Sequence, residues 1–172
     1  MFKLCGILLL LTGCVGFAYS LCREKQRKIL LLKEFKYLYA RMQNEMQYTK
    51  DPFPTLFLRL SENVSEPLSG MLQRISRQMS PSQSIGFEEV WQKEAALVLK
   101  EYALDEQPKN TILRFPAFMS LWECGGQVKA LQRQIDELEH MIAELESEEK
   151  SKRKMIMSLG VAAGLFLTII LL

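Results

Sequence analysis

The chain has 172 residues, 48% hydrophobic and 24% charged, with 22 basic and 20 acidic side chains and a single histidine. Apart from Lys3, every charged side chain lies between Arg23 and Lys154, 21 basic against 20 acidic, so no strongly basic face for nucleic acid is expected. One histidine and no Gly-x-x-x-x-Gly-Lys-[Ser/Thr] loop count against a catalytic triad, a histidine-bearing metal centre and nucleotide hydrolysis.

Leu4 to Cys22 is an uncharged run of 19 residues. A bilayer core of about 30 Å takes about 20 apolar residues in a helix, so residues 4–22 are expected to form a first transmembrane helix. Two rival readings exist. Ala18 and Ser20 could serve a cleaved secretory signal. Leu11-Thr12-Gly13-Cys14 looks like a lipoprotein processing box, with lipid attached at Cys14. Either would place the following domain outside the cell, against the basic cluster Arg23, Lys25, Arg27 and Lys28.

From there the central segment, residues 23–154, reads as helix after helix. Leu31, Phe35, Leu38, Met42 and Met46 recur at three- and four-residue spacing and predict a helix over 29–48. Pro52 and Pro54 interrupt it and open a second helix, 54–62, with Leu56, Phe57 and Leu60. A third begins near Ser65-Glu66-Pro67 and carries Leu68, Leu72, Ile75 and Met79 on one side. Residues 80–84 read as a turn. A fourth helix, 86–104, sets Phe87, Trp91, Ala95, Val98 and Tyr102 on a stripe. Asp105 to Asn110, with Pro108, is expected as a loop, followed by a short helix over 112–121, with Gly125-Gly126 as a further break.

The last helix is the clearest. Val128, Leu131, Ile135, Leu138, Ile142 and Leu145 form a heptad seam between polar positions. The seam either packs on the domain's own helices or pairs with a second chain, which leaves a homo-oligomer open. No helix breaker lies between Gln127 and Ser158, so this helix can run on into residues 155–172, an apolar stretch of 18 residues and the second expected span. Within it Gly160 and Gly164 form a Gly-x-x-x-Gly pair, the spacing that lets helix backbones approach in lipid.

Both basic clusters, Arg23 to Lys28 and Lys150 to Lys154, border the same central segment. The positive-inside rule therefore places residues 23–154 in the cytoplasm and both termini outside. Of the four cysteines, Cys5, Cys14 and Cys22 lie in or beside the first apolar stretch and Cys124 stands apart, without metal-ligand spacing. They read as small apolar residues in a reducing or lipid setting. The expected fold class is all-α, an antiparallel helical bundle flanked by N- and C-terminal transmembrane helices.

Chemistry is hard to find in this pattern. Counting from Val128 as position a, His140 falls at f, the outermost heptad position, and reads as a solvated side chain. Glu88-Glu89 and Glu144, Glu146, Glu148 and Glu149 read as solvated helix faces. No catalytic, cofactor-binding or metal-binding residue is expected, and a structural role is favoured over an enzymatic one.

Several runs carry a resemblance. Glu45-Met46-Gln47-Tyr48 followed by Pro52-Phe53-Pro54, the Phe87-Glu88-Glu89-Val90-Trp91 helix, Gln127-Val128-Lys129-Ala130-Leu131 and the final stretch Leu159-Gly160 to Gly164-Leu165 keep a distinctive order and spacing. Together they resemble the stage III sporulation protein AB family of endospore-forming bacteria, over essentially the whole chain. The run Leu121-Trp122-Glu123-Cys124-Gly125-Gly126 departs from the family's pattern. The resemblance implies a domain similar to the cytoplasmic domains of the type II secretion platform F-protein. It also implies membership of the channel or secretion-like complex between mother cell and forespore, on the mother-cell side. Its partners would be the membrane, the other complex subunits and a cytoplasmic assembly ATPase. A two-pass signalling protein whose bundle transmits a tilt between spans is the other reading left open.

Overall fold

In the computed structural model residues 2–49, 51–79, 86–120 and 124–171 are described; for 2–22, 120, 124, 125, 153 and most of 156–171 this concerns the backbone alone. Seven helices occur among the described residues: α1 (Phe2–Tyr48), α2 (Phe53–Ser61), α3 (Leu68–Gln78), α4 (Phe87–Lys100), α5 (Glu106–Leu113), α6 (Phe115–Ser120) and α7 (Cys124–Leu171). The protein is an all-α helical domain.

The chain divides into two units, residues 30–142 and a unit of the two chain ends, 1–29 with 143–172. In the end unit, Gln26 donates a hydrogen bond to the Glu149 carboxylate at 3.1 Å, tying α1 to α7. Among the described residues no helix is long and apolar enough to cross a membrane. The spans expected at 4–22 and 155–172 fall almost wholly on side chains outside the described residues, as do Gly160 and Gly164. The turn expected at 80–84 lies outside them too.

In the larger unit α1 and α7 run antiparallel. Gln43 donates to the Val128 carbonyl and to Gln132, both at 3.0 Å, while Lys36, two turns earlier, pairs with Glu139 at 3.6 Å, two turns later. The hairpin α2–α3 is antiparallel by the same logic, since the Ser69 hydroxyl donates to the Ser61 carbonyl near the turn and Ser76 to Pro54 at the far end. Arg59 of α2 closes on the end of α1 through Glu45 and Asp51, each at 2.8 Å.

Between these elements lies an apolar core. Leu32, Phe35, Leu38, Tyr39 and Met42 of α1 are sealed by Phe57 and Leu60, Leu68 and Leu72, Trp91, Ile112, Phe115, and Leu131 and Leu138. Its centre is aromatic: Tyr39 stacks on Phe115 with centroids 4.6 Å apart, and Trp91 meets Phe115 at 4.6 Å. Tilted and stacked rings at such separations contribute beyond the area they bury.

Five boundaries differ from the periodicity reading. The first helix does not begin at residue 29 but is continuous from Phe2, because the basic run 23–28 contains only good helix formers. Residues 105–110 are not a loop, since Asp105 is the N-cap of α5 and Pro108 occupies its first turn, where the missing N–H costs nothing. The segment 112–121 is two helices, because Arg114 ends α5 and Pro116 sits in the first turn of α6. Gly125-Gly126 does not break the chain; both lie in the first turn of α7, where glycine's low helix propensity matters least. The fourth helix stops at Lys100, and Ala103, at φ 44°, turns the chain toward α5.

Candidate functional site

The larger unit carries an open groove of about 460 Å³. Leu30, Lys33, Glu34 and Tyr37 line one wall, and Asn63–Ser65, the turn between α2 and α3, line the other. The spacing of the first four is one face of a helix, adjoining the face that carries the core residues Leu31, Phe35, Leu38 and Met42. Leu30 is 59% exposed and Tyr37 47% exposed, on a helix whose other large apolar side chains in this unit, apart from Tyr48, are buried or half-buried. The Tyr37 ring is held in place by Arg41, whose Nη1 donates to the hydroxyl at 2.9 Å while the guanidinium sits 5.7 Å from the ring centroid. Such a surface suits a side chain offered by another protein: an apolar floor between one lysine, one carboxylate and a polar turn.

A second feature lies between α3 and α4. Glu94 of α4 is buried, accepting a hydrogen bond from Arg74 Nε at 2.6 Å and from Gln78 at 2.7 Å, both on α3. Burial alone would raise this carboxyl, but the hydrogen bonds from Arg74 and Gln78 and the Arg74 charge outweigh it and hold the group below its ordinary value. The carboxylate therefore stays ionised and pins α4 to α3. Trp91 Nε1 similarly donates to the Ile112 carbonyl at 2.9 Å, satisfying a buried acceptor at the end of α5. Thr111 donates to Glu137 at 3.0 Å and Gln127 to the Met119 carbonyl at 2.9 Å, so α5 and α6 are fastened to α7.

Of the heptad seam, Leu131, Ile135, Leu138 and Ile142 are buried, while Val128 and Leu145 are half-buried. Gln134 and Met141 share the buried face. His140 is exposed, as are Glu88, Glu89 and Glu144. Among the described residues no group of three or more His, Cys, Asp or Glu side chains is arranged to hold a metal ion.

Sequence reasoning did not find Glu94. Its register was available, since 91, 94, 95 and 98 make one helical stripe, and a carboxylate on an apolar stripe signals a buried ion pair. Nothing in the sequence marked Leu30 and Tyr37, because exposed apolar residues are common and only the fold shows these two sharing a groove.

The family model for stage III sporulation protein AB matches residues 3–172. The chain belongs to the stage III sporulation protein AB family. It is thereby a protein of sporulation stage III. A family member from Bacillus subtilis (strain 168), stage III sporulation protein AB, is 20% identical over 172 residues, covering 100% of both chains. A solved structure of stage III sporulation protein AB superposes with a TM-score of 0.62 at 16% identity, covering 70% of this chain and 94% of that one. At that identity the structural likeness speaks for the fold: this sporulation protein AB family member shares its helical architecture with a solved relative.

Proposed function

We propose that this protein is a two-pass membrane platform subunit of the channel or secretion-like complex that serves stage III of sporulation. Residues 23–154 form the cytoplasmic helical domain on the mother-cell side, and that domain docks partner subunits, among them an assembly ATPase. The observation that carries the reading is the placement of Leu30 and Tyr37. Two exposed apolar side chains of α1 come together in a groove completed by the α2–α3 turn, whereas the domain's other exposed large apolar groups, Tyr48, Leu58 and Leu97, do not line it. Supporting it are the family assignment over nearly the full chain and the apolar stretches at 4–22 and 155–172, each bordered by basic residues on the domain side.

The function on this reading is mechanical. An antiparallel α1/α7 frame, cross-linked by Gln43, Lys36 and the α2–α6 insertion, holds the docking face on packed helices. Rigid elements suit that role, because a docking surface held on packed helices loses little order on binding.

Single cysteines at Ser82 and Gln107 in a cysteine-free background test the topology. On this reading they resist a membrane-impermeant thiol reagent in intact cells and react after permeabilisation. Labelling in intact cells removes the platform reading and favours lipid attachment at Cys14 and an outward-facing domain. Ligand-dependent change in crosslinking between the two ends would instead favour a signalling role.

A further inference from the structure

Pairing of the chain ends collects charge that the sequence holds far apart. Within the unit of residues 1–29 and 143–172, the Gln26–Glu149 hydrogen bond lays α1 beside α7. Arg23, Lys25 and Lys28 lie within one helical turn of Gln26, and Lys150, Lys152 and Lys154 follow Glu149. Arg23, Lys150, Lys152 and Lys154 are exposed, and Lys25 and Lys28 are half-buried. Lys25 and Lys152 meet across this pairing: the Lys152 amine beside Lys25, with partial burial, holds the Lys25 ammonium below its ordinary value.

The charge is also ordered along the helices. On α7 the acids Glu144, Glu146, Glu148 and Glu149 come first, then the bases from Lys150 to Lys154, then an apolar stretch with no charged side chain. On α1 the apolar stretch is followed at once by Arg23, Glu24 and Lys25. Glu148 meets Lys152 at 3.3 Å, but no acidic side chain lies beyond Glu149 on α7 or before Glu24 on α1. Helix pairing thus brings the two basic runs together beside the apolar stretches, with Glu24 among them and Glu148 and Glu149 at their edge. Concentrating cations in this way is unfavourable unless an anionic surface faces them.

We propose that Arg23, Lys25, Lys28, Lys150, Lys152 and Lys154 form one basic collar that binds the phosphate headgroups of acidic membrane lipids. The collar rests on reading residues 4–22 and 155–172 as membrane spans, and goes beyond it by giving the paired helix ends a ligand. An orientation signal needs only net positive charge beside each span. A lipid site needs the two clusters together, which is what the helix pairing supplies.

The test uses the full chain reconstituted in nanodiscs, either of phosphatidylcholine alone or of phosphatidylcholine mixed with phosphatidylglycerol. Thermal unfolding is followed by circular dichroism. The midpoint is expected to rise by several degrees with phosphatidylglycerol, and the rise to shrink as salt is added. The combined variant Lys25→Gln, Lys150→Gln, Lys152→Gln and Lys154→Gln is expected to melt like the parent in phosphatidylcholine and to lose the rise. A Lys109→Gln, Lys129→Gln control keeps it. Equal midpoints for the parent in both compositions overturn the proposal, as does a rise that survives in the collar variant. So does the same rise produced by inorganic phosphate added to phosphatidylcholine discs, since that assigns the effect to any anion. Preferential retention of phosphatidylglycerol by the parent chain in native mass spectrometry supports the collar without recourse to a variant, and equal retention of both lipids overturns it. Alkaline extraction of cell membranes separates the span reading from the collar. Release of the chain removes the span reading and the collar with it, whereas retention combined with equal midpoints removes the collar alone.

Discussion

The indole Nε1 of Trp91 donates to the carbonyl of Ile112 at 2.9 Å, in a position where neither group meets solvent. This one bond joins α4 to the end of α5 and seats the indole against Phe57, Phe87 and Phe115. Trp91→Phe keeps most of the apolar contact but strands the Ile112 acceptor. Leaving a buried carbonyl unpaired costs about 1–3 kcal/mol, so a loss of about 2 kcal/mol is expected in chemical denaturation. A midpoint unchanged from the parent would show that the bond carries no net weight.

The Tyr39 hydroxyl presents the opposite case. It is buried with no hydrogen-bond partner among the described residues, and burial pushes its ionisation well above the ordinary tyrosine value. The ring, stacked on Phe115, supplies the packing. Tyr39→Phe therefore removes an unsatisfied polar group and keeps the stack. The variant is expected to match or exceed the parent in stability, by up to about 1 kcal/mol, measured by the same denaturation. A clear destabilisation would mean that the hydroxyl has a partner in solution.

Glu94 makes the domain sensitive to acid. Its carboxyl is held below its ordinary value in the folded chain, so the unfolded chain takes up the proton more readily. The stabilisation is present above the unfolded value, about 4.3, and is lost as pH falls through the lower folded value. Glu94→Gln is expected to cost about 1–2 kcal/mol at neutral pH, discounted because Arg74 is nearly half exposed. The two proteins should converge in acid. Parallel stability curves over the whole range would assign the acid dependence to other carboxylates.

Leu30→Glu addresses the groove. Leu30 is 59% exposed, so the change is expected to alter stability by no more than about 0.5 kcal/mol. Capture of the partner subunit by the full chain in detergent should nevertheless fall about tenfold or more, since apolar anchors dominate such contacts. Spore formation should fall with it. Normal capture and normal sporulation would move the docking face elsewhere on the domain.

Much of this fold could be read from residue spacing. The apolar faces led by Leu31 and Phe35, by Leu68 and Leu72, and by Leu131 and Leu138 are where periodicity places them, because a helix repeats every 3.6 residues wherever it packs. Proline and glycine were harder to read. Pro108, Pro116 and Gly125-Gly126 look like interruptions, yet each sits in a first helical turn, where a missing N–H or a missing side chain costs little. Punctuation residues mark that a boundary is near without saying on which side of it they fall.

Local order thus follows from the order of residues: helices, their apolar stripes and the alternation of charged and apolar blocks depend on interactions a few positions apart. Whether a position beside a stripe is covered depends on which other helix lies there. Glu94 is buried because α3 brings Arg74 and Gln78 to it, and Leu30 is exposed because, among the described residues, no helix covers its side of α1. The closeness of Lys25 and Lys152, more than a hundred residues apart, has the same origin. Burial and charge pairing are properties of neighbours in space, chosen for Glu94 by the packing of α3 on α4 and for Lys25 by the pairing of the two chain ends.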